Sequence, residues 1–255
     1  MTDPFIRLVG VRKEFETRGE KFLAVSEVTF DVAEGELVAL VGPSGCGKTT
    51  VLKMIAGLYE HSGGEMSIGG ANGGGFSADR DIGMVFQQPL LLKWRKVLEN
   101  VLLPAEILGL PMAEARDRAK DLLALVGLKG FEGNYPHELS GGMQQRAAIA
   151  RSLVHDPKVV LMDEPFGALD ALTREHMNLE LLRVWSESKK TILFVTHGIQ
   201  EAVFLGSRVI VLTSGPARMA GDIQVELPYP RKLDIKTHEN FGTYTRRIYG
   251  LLGME

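Results

Sequence analysis

The stretch Glu36 to Gly57, ELVALVGPSGCGKTTVLKMIAG, constrains this chain more than any other. The apolar run Leu37 to Val41, bounded by Gly35 and Gly42, has the length of a buried strand. Lys48 to Ala56 reads as a helix, with Gly57 placed to cap it. Between them Gly42, Pro43, Ser44, Gly45, Cys46, Gly47, Lys48 and Thr49 spell a full G-x-x-x-x-G-K-[ST]. The glycines let backbone N–H groups turn inward around a phosphate, and the helix N-terminus adds positive potential. Lys48 is then expected to reach the β- and γ-phosphates, and the Thr49 hydroxyl to ligate Mg²⁺. A lysine in a first helical turn opposes the macrodipole, which calls for an anion to compensate it.

Composition narrows the setting. With 255 residues, 45% of them hydrophobic, the chain can bury a sizeable core, as one domain with a subdomain or as two domains. A net charge of −3 without a basic stripe argues against nucleic acid as a partner. Cys46 is the single cysteine, so no intrachain disulfide forms and a reducing compartment is expected. No apolar run reaches the roughly 18 residues of a membrane span, and MTDPFIRLVGVRKEF lacks the apolar core of a signal peptide. The expectation is a soluble, cytoplasmic protein that meets a membrane only through a partner.

Along the chain, Phe5–Val9 and Val28–Val32 read as strands around a loop at Glu16–Lys21. Phe15, taken alone, is ordinary core. Gly63–Gly75 is glycine-rich around a short strand at Glu65–Ile68. Asp81–Phe86 is a strand ended by Gln87-Gln88-Pro89. The loop that follows, Leu90-Leu-Leu-Lys-Trp-Arg95, carries apolar side chains that need a seat or a partner. Val97–Leu108 looks helical, with a possible kink at Pro104. Met112–Val126 places Met112, Ala115, Ala119, Leu122, Leu123 and Val126 on one helical face. Residues Leu90 to Val154 therefore read as an inserted helical subdomain. Phe241–Leu252 reads as an amphipathic tail helix.

Three further positions carry chemistry. Ser140 caps a helix opened by Gly141 and Gly142, a second anion-binding helix start, though an ordinary cap explains it as well. The buried run Lys158–Met162 ends in Asp163-Glu164, adjacent carboxylates that are costly unless used. Beside a phosphate loop, Asp163 is the expected partner of Mg²⁺ and Glu164 can orient or deprotonate a water. The buried run Thr191–Val195 presents Thr196-His197 at its end, and ligands in open α/β sheets bind at such ends. For Cys46 two readings stand level: a small filler, or a thiol activated by the helix N-terminus whose alkylation blocks binding at the phosphate loop.

Taken together these residues resemble an ABC-type ATPase. Gly42 to Thr50 is similar to its Walker A, Val85-Phe-Gln87 to the Q-loop, and Leu139-Ser-Gly-Gly-Met-Gln144 to the signature motif. Leu161-Met-Asp-Glu-Pro165 resembles Walker B with its catalytic Glu164, Ala168-Leu-Asp170 the D-loop, and Thr196-His197 the switch histidine. Phe15 matches the aromatic that stacks on adenine. The resemblance runs from Ile6 to Leu227 and implies a P-loop NTPase (RecA-like) α/β core, an antiparallel β subdomain and the helical subdomain at about 90–154. Residues 1–227 form the ATPase domain and 228–255 a tail.

The resemblance further implies ATP and Mg²⁺ as cofactors. Thr49, Gln87 and Asp163 surround the metal; Phe15, the Gly42–Thr50 loop and Asp170 meet the nucleotide; Glu164, His197 and Gln87 serve hydrolysis. Ser140, Gly141, Gly142 and Gln144 come from a second subunit in a head-to-tail dimer. Wording around the motifs is similar to the nitrate, sulfonate and taurine uptake group. That implies a bacterial importer at the cytoplasmic face of the inner membrane, a permease docked through residues 87–95, and an indirect extracytoplasmic binding protein. Gly198 departs from that group, which carries an acidic residue there, and Gly loosens a helix start. The alternative class is an ABC ATPase that transports nothing, such as a cluster-assembly type.

Overall fold

The computed structural model describes residues 4–17, 19–70, 75–167 and 169–254. Arg18 of the expected loop, residues 71–74 of the glycine tract and Ala168 of Ala168-Leu-Asp170 lie outside the described residues.

The strands are β1 (Ile6–Thr17), β2 (Glu20–Val32), β3 (Leu37–Val41), β4 (Gly63–Ile68), β5 (Ile82–Val85), β6 (Val159–Asp163), β7 (Thr191–Thr196), β8 (Arg208–Leu212) and β9 (Ala217–Gln224). The helices are α1 (Lys48–Ile55), α2 (Ala78–Asp81), α3 (Val97–Ile107), α4 (Met112–Leu125), α5 (Gly141–Leu153), α6 (Ala171–Ser188), α7 (Ile199–Leu205) and α8 (Glu239–Leu251). The strands join in the order β4-β1-β2-β9-β8-β3-β7-β6-β5. Strands β8, β3, β7, β6 and β5 run parallel, and β4-β1-β2 is antiparallel. The two parts meet through a short parallel pairing of β2 with β9.

The continuous apolar runs of β3, β6, β7 and β8 follow from cover on both sheet faces. Along β3, Leu37, Ala39 and Val41 face the layer of α3 to α7, while Val38 and Leu40 face α1 and the antiparallel strands. Each such Val or Leu, fully buried, contributes about 1.5–3 kcal/mol. Order and register decide the rest. Val41 pairs with Thr196, and Val195 with Asp163, so β7 ends between the phosphate loop and the two carboxylates.

One detail differs from the sequence reading. The β1–β2 hairpin is longer than expected: Phe15 pairs with Phe22 and Glu16 with Lys21, which leaves the turn between Thr17 and Glu20. Cross-strand aromatic pairing extends the ladder past the point where alternation fades. Helix α3 runs on past Pro104, whose carbonyl accepts the Leu108 N–H at 3.0 Å. The tail is stitched to the core. Phe241 and Ile248 are buried, and the Tyr229 hydroxyl donates to the Leu205 carbonyl at 2.7 Å.

Candidate functional site: a phosphate loop beside a Glu–His pair

The loop at residues 42–47 needs its glycines for separate reasons. Gly47 has φ of 113°, and a Cβ there would lie 2.8 Å from the Ala24 carbonyl oxygen. At Gly42 the backbone is ordinary, but a Cβ would strike the Leu212 carbonyl at 2.8 Å and Cys46 Sγ at 2.9 Å. Cys46 is 1% exposed and packs in the apolar cluster under the loop, which favours the filler reading of its thiol. Lys48 is buried, and its ammonium donates to the carbonyls of Gly42 at 2.7 Å and Pro43 at 2.9 Å. Thr50 is half-buried in the same first turn.

Strand ends bring the other groups in. The Thr49 hydroxyl donates to Asp163 Oδ1 at 2.9 Å. Asp163 is buried, and desolvation pushes its carboxyl above the ordinary range, opposed by that hydrogen bond. Glu164 lies just past β6 with φ of 46°, a left-handed conformation that costs a non-glycine residue about 1–3 kcal/mol. Its amide donates to the Val195 carbonyl at 2.9 Å, and its Oε2 lies 3.1 Å from His197 Nδ1. A proton on Nδ1 makes that contact a donation to the carboxylate. Gly42, Pro43, Ser44, Glu164 and His197 all line one cavity of about 620 Å³, as do Leu252 and Met254 of the tail.

Other predicted residues stand outside that cavity. Phe15, on β1, is half-buried; its ring meets Tyr59 edge-on with centroids 5.4 Å apart, and Lys13 Nζ lies 4.8 Å from its centroid. Gln87 is exposed beyond β5. Ser140 caps α5 by accepting the Met143 N–H at 3.3 Å. Ser140 and Gly141 are exposed, Gly142 is half-buried, and the Gln144 amide donates back to the Pro136 and Leu139 carbonyls. Asp170 caps α6 by accepting the Thr173 N–H at 3.0 Å, and Thr173 holds its carboxyl below the ordinary value.

The sequence reading missed three polar groups. Buried Gln145 donates to the Phe86 carbonyl at 3.0 Å, one residue before Gln87. Arg151 donates to the carbonyls of Pro89 at 2.6 Å and Leu90 at 2.8 Å. Both tie the root of the 87–95 loop to α5. Glu201, in the first turn of α7, accepts the Thr196 hydroxyl at 2.5 Å. The partners of Gln145 and Arg151 are backbone carbonyls far away in the chain, which no local pattern marks.

A phosphate loop feeding a helix, a buried carboxylate paired with a hydroxyl, and a Glu–His pair at neighbouring strand ends define a nucleotide-hydrolysing α/β protein. Comparison with known proteins is consistent with that class. The profile of the ABC transporter family matches residues 25–167. An uncharacterized ABC transporter ATP-binding protein of Methanocaldococcus jannaschii is 45% identical over 247 residues, covering 97% of this chain and 91% of that protein. The taurine import ATP-binding protein of Roseobacter denitrificans is 41% identical over 99% of this chain and 94% of its own length. The aliphatic sulfonates import ATP-binding protein of Bacillus cereus is 41% identical over 95% of this chain and 94% of its own. A dimeric bacterial ABC transporter cassette superposes with a TM-score of 0.78 at 34% identity, over 88% of this chain and all of that one. Its post-hydrolysis dimer with ADP and Pi gives 0.77 at 33% identity. The chain belongs to the ABC transporter family, as an ATP-binding cassette that hydrolyses ATP.

Proposed function

We propose that this chain is the ATP-hydrolysing subunit of an importer for a small anion, with nitrate, a sulfonate or taurine as the substrate class. It works as a head-to-tail dimer beneath a membrane permease, on the cytoplasmic face. The observation that carries the hydrolytic part is the Glu164–His197 contact of 3.1 Å at the edge of the cavity shared with the phosphate loop. The relatives named for sulfonate and taurine import support the importer and its substrate class. Among the described residues no helix is long and apolar enough to cross a membrane, and we assign the membrane path to a separate permease.

We assign each residue a role. Lys48 exchanges its two carbonyl partners for phosphate oxygens, a stronger charge-assisted bond. The amides of Gly45 to Thr49 hold the same phosphates at the start of α1. Thr49 and Asp163 offer adjacent hard oxygens in a buried setting, which suits Mg²⁺, and Gln87 completes the set. A Mg²⁺ ion held there supplies charge neutralisation for the transferring phosphoryl group. Glu164 polarises the attacking water and takes its proton, while His197 fixes the carboxylate's direction. Phe15 is the adenine platform. Exposed Ser140 and Gly141, with Gly142 and Gln144, cap the γ-phosphate bound in the second copy, and Asp170 lies at that junction. The dimeric cassette of similar fold supports this pairing.

The permease seat is the surface beyond β5. Leu90 is 55% exposed and Trp94 74% exposed, whereas Leu91 and Leu92 are half-buried. Beside them Leu103, Pro104, Ile107 and Leu108 line a groove of about 340 Å³ that also holds Leu90 and Arg151. A cytoplasmic helix of a permease fits such an apolar groove. Cells lacking this chain should lose uptake of labelled taurine, alkanesulfonate or nitrate, and the wild-type chain should restore it. Trp94→Glu should leave uptake at least about tenfold lower, because a charge is buried at the contact, while ATPase of the purified chain stays within about twofold. Normal uptake with Trp94→Glu would remove the permease from the Leu90–Trp94 surface, and unchanged uptake in the deletion would remove the substrate class.

A further inference from the structure

Helix α7 begins beside the reactive pair, and its first turn is capped in an unusual way. Its N-cap is Gly198, which has no side chain to offer. In a capping box the glutamate at the third helical position reaches back to the N-cap N–H. Glu201 holds that position, but the Gly198 N–H donates instead to Thr196 Oγ1 at 2.9 Å. The Thr196 hydroxyl then donates to Glu201 Oε2 at 2.5 Å. The box is relayed through the last residue of β7, and the residue enclosed by the relay is His197. Neither the strand end before it nor the helix start after it can rotate without breaking one of the two bonds.

The surroundings point to use rather than accident. Among the described residues, Glu201 Oε1 is buried without a partner, as is Oδ1 of Asn178 on α6. Arg174 and Asn178 of α6, together with Thr196 and His197, are the groups that face the carboxyl. Burial pushes that carboxyl above its ordinary range, opposed by the Thr196 hydrogen bond. A half-satisfied buried carboxyl is costly and calls for a reason. Gly198 sits close against the relay: a Cβ there would lie 3.3 Å from Glu201 Cβ, a tight approach, and 3.4 Å from Thr196 Oγ1, an ordinary contact. Thr196, Gly198 and Glu201 line the same cavity as Glu164 and His197.

We propose that Thr196 and Glu201 are positioning residues for ATP hydrolysis, acting through the relay to hold the His197 ring against Glu164. The inference rests on the roles given to His197 and Glu164 above. Its test is steady-state ATPase of the full chain carrying Thr196→Val, Glu201→Ala, Glu201→Gln, the Thr196→Val/Glu201→Ala pair, and His197→Ala. Misplacing a reacting group by a fraction of an ångström costs rate more than affinity. Thr196→Val and Glu201→Ala should each lower kcat by about tenfold with KM for ATP within about twofold. The double variant should be no slower than the slower single, because both break one relay. Glu201→Gln keeps an acceptor for the hydroxyl and should recover most of kcat.

Wild-type kcat in folded Thr196→Val, alongside a dead His197→Ala, would overturn the relay alone. Multiplying losses in the double variant, or losses confined to KM, would overturn it too. Full turnover by His197→Ala would instead sink the reading of His197 beneath it. If Glu201→Ala does not fold, Thr196→Val and Glu201→Gln decide the matter by the same criteria.

Discussion

Glu164→Gln lowers ATP turnover by about 10²–10⁴-fold, the usual contribution of a general base and about 3–5 kcal/mol of barrier. Nucleotide affinity stays close to wild type, because Lys48, the loop amides and the Thr49–Asp163 pair are untouched. The amide keeps the shape of the carboxylate and one acceptor for His197 Nδ1, so the loss is chemical and not steric. With turnover stalled and ATP bound, dimers accumulate and are counted by light scattering. Single-turnover kinetics separate the chemical step from product release. Turnover within a few-fold of wild type would assign the proton to another group.

Arg231→Ala destabilises the chain by about 3 kcal/mol or more, because several buried acceptors lose their donor together. Arg231 is 2% exposed, and its Nη1 donates to the carbonyls of Val203 at 2.8 Å, Phe204 at 3.0 Å and Gly206 at 2.9 Å. Nη2 reaches the carbonyls of Val225 and Leu227. The guanidinium therefore closes the C-terminal end of α7, whose N-terminal end follows His197, and it stacks 4.0 Å from the Tyr229 ring. For a chain of this size each kcal/mol moves Tm by roughly 2–4 °C, so the expected fall is about 10 °C in a thermal melt. Arg231→Lys recovers only part, since an ammonium cannot serve both rows of carbonyls as a planar fork does. A Tm within about 2 °C of wild type would show that water replaces the guanidinium freely.

These two residues mark where sequence reading reached and where it stopped. Glu164 announces itself: a carboxylate pair at the end of an apolar strand is a local, costly arrangement, and the phosphate loop gives it a purpose. The core strands were legible for a similar reason, since 37–41, 159–162 and 192–195 are continuous apolar runs that a doubly covered sheet accommodates. Strand order then follows from register, which places β7 between β3 and β6 and carries His197 to its neighbours. Arg231 gives no such sign. It sits in Pro228-Tyr-Pro-Arg231, which reads only as an extended stretch, and three of its partners are carbonyls 28, 27 and 25 residues earlier. Gln145 and Arg151 are hidden in the same way, because they bind carbonyls some 60 positions away and a carbonyl has no sequence signature. Glu201 was missed because a glycine stands where a capping side chain is sought. The loop at residues 16–21 was drawn too wide because the Phe15–Phe22 pairing is non-periodic, and only the ladder shows it.

The account stands or falls on whether this cassette works beneath a permease. The direct measurement is to tag the chain in its host, solubilise the membranes in mild detergent, and identify what co-purifies. The account predicts a polytopic membrane protein in near-equal amount, retained with Glu164→Gln and lost with Trp94→Glu. Recovery of soluble partners only, with the chain absent from membranes, would contradict the importer reading.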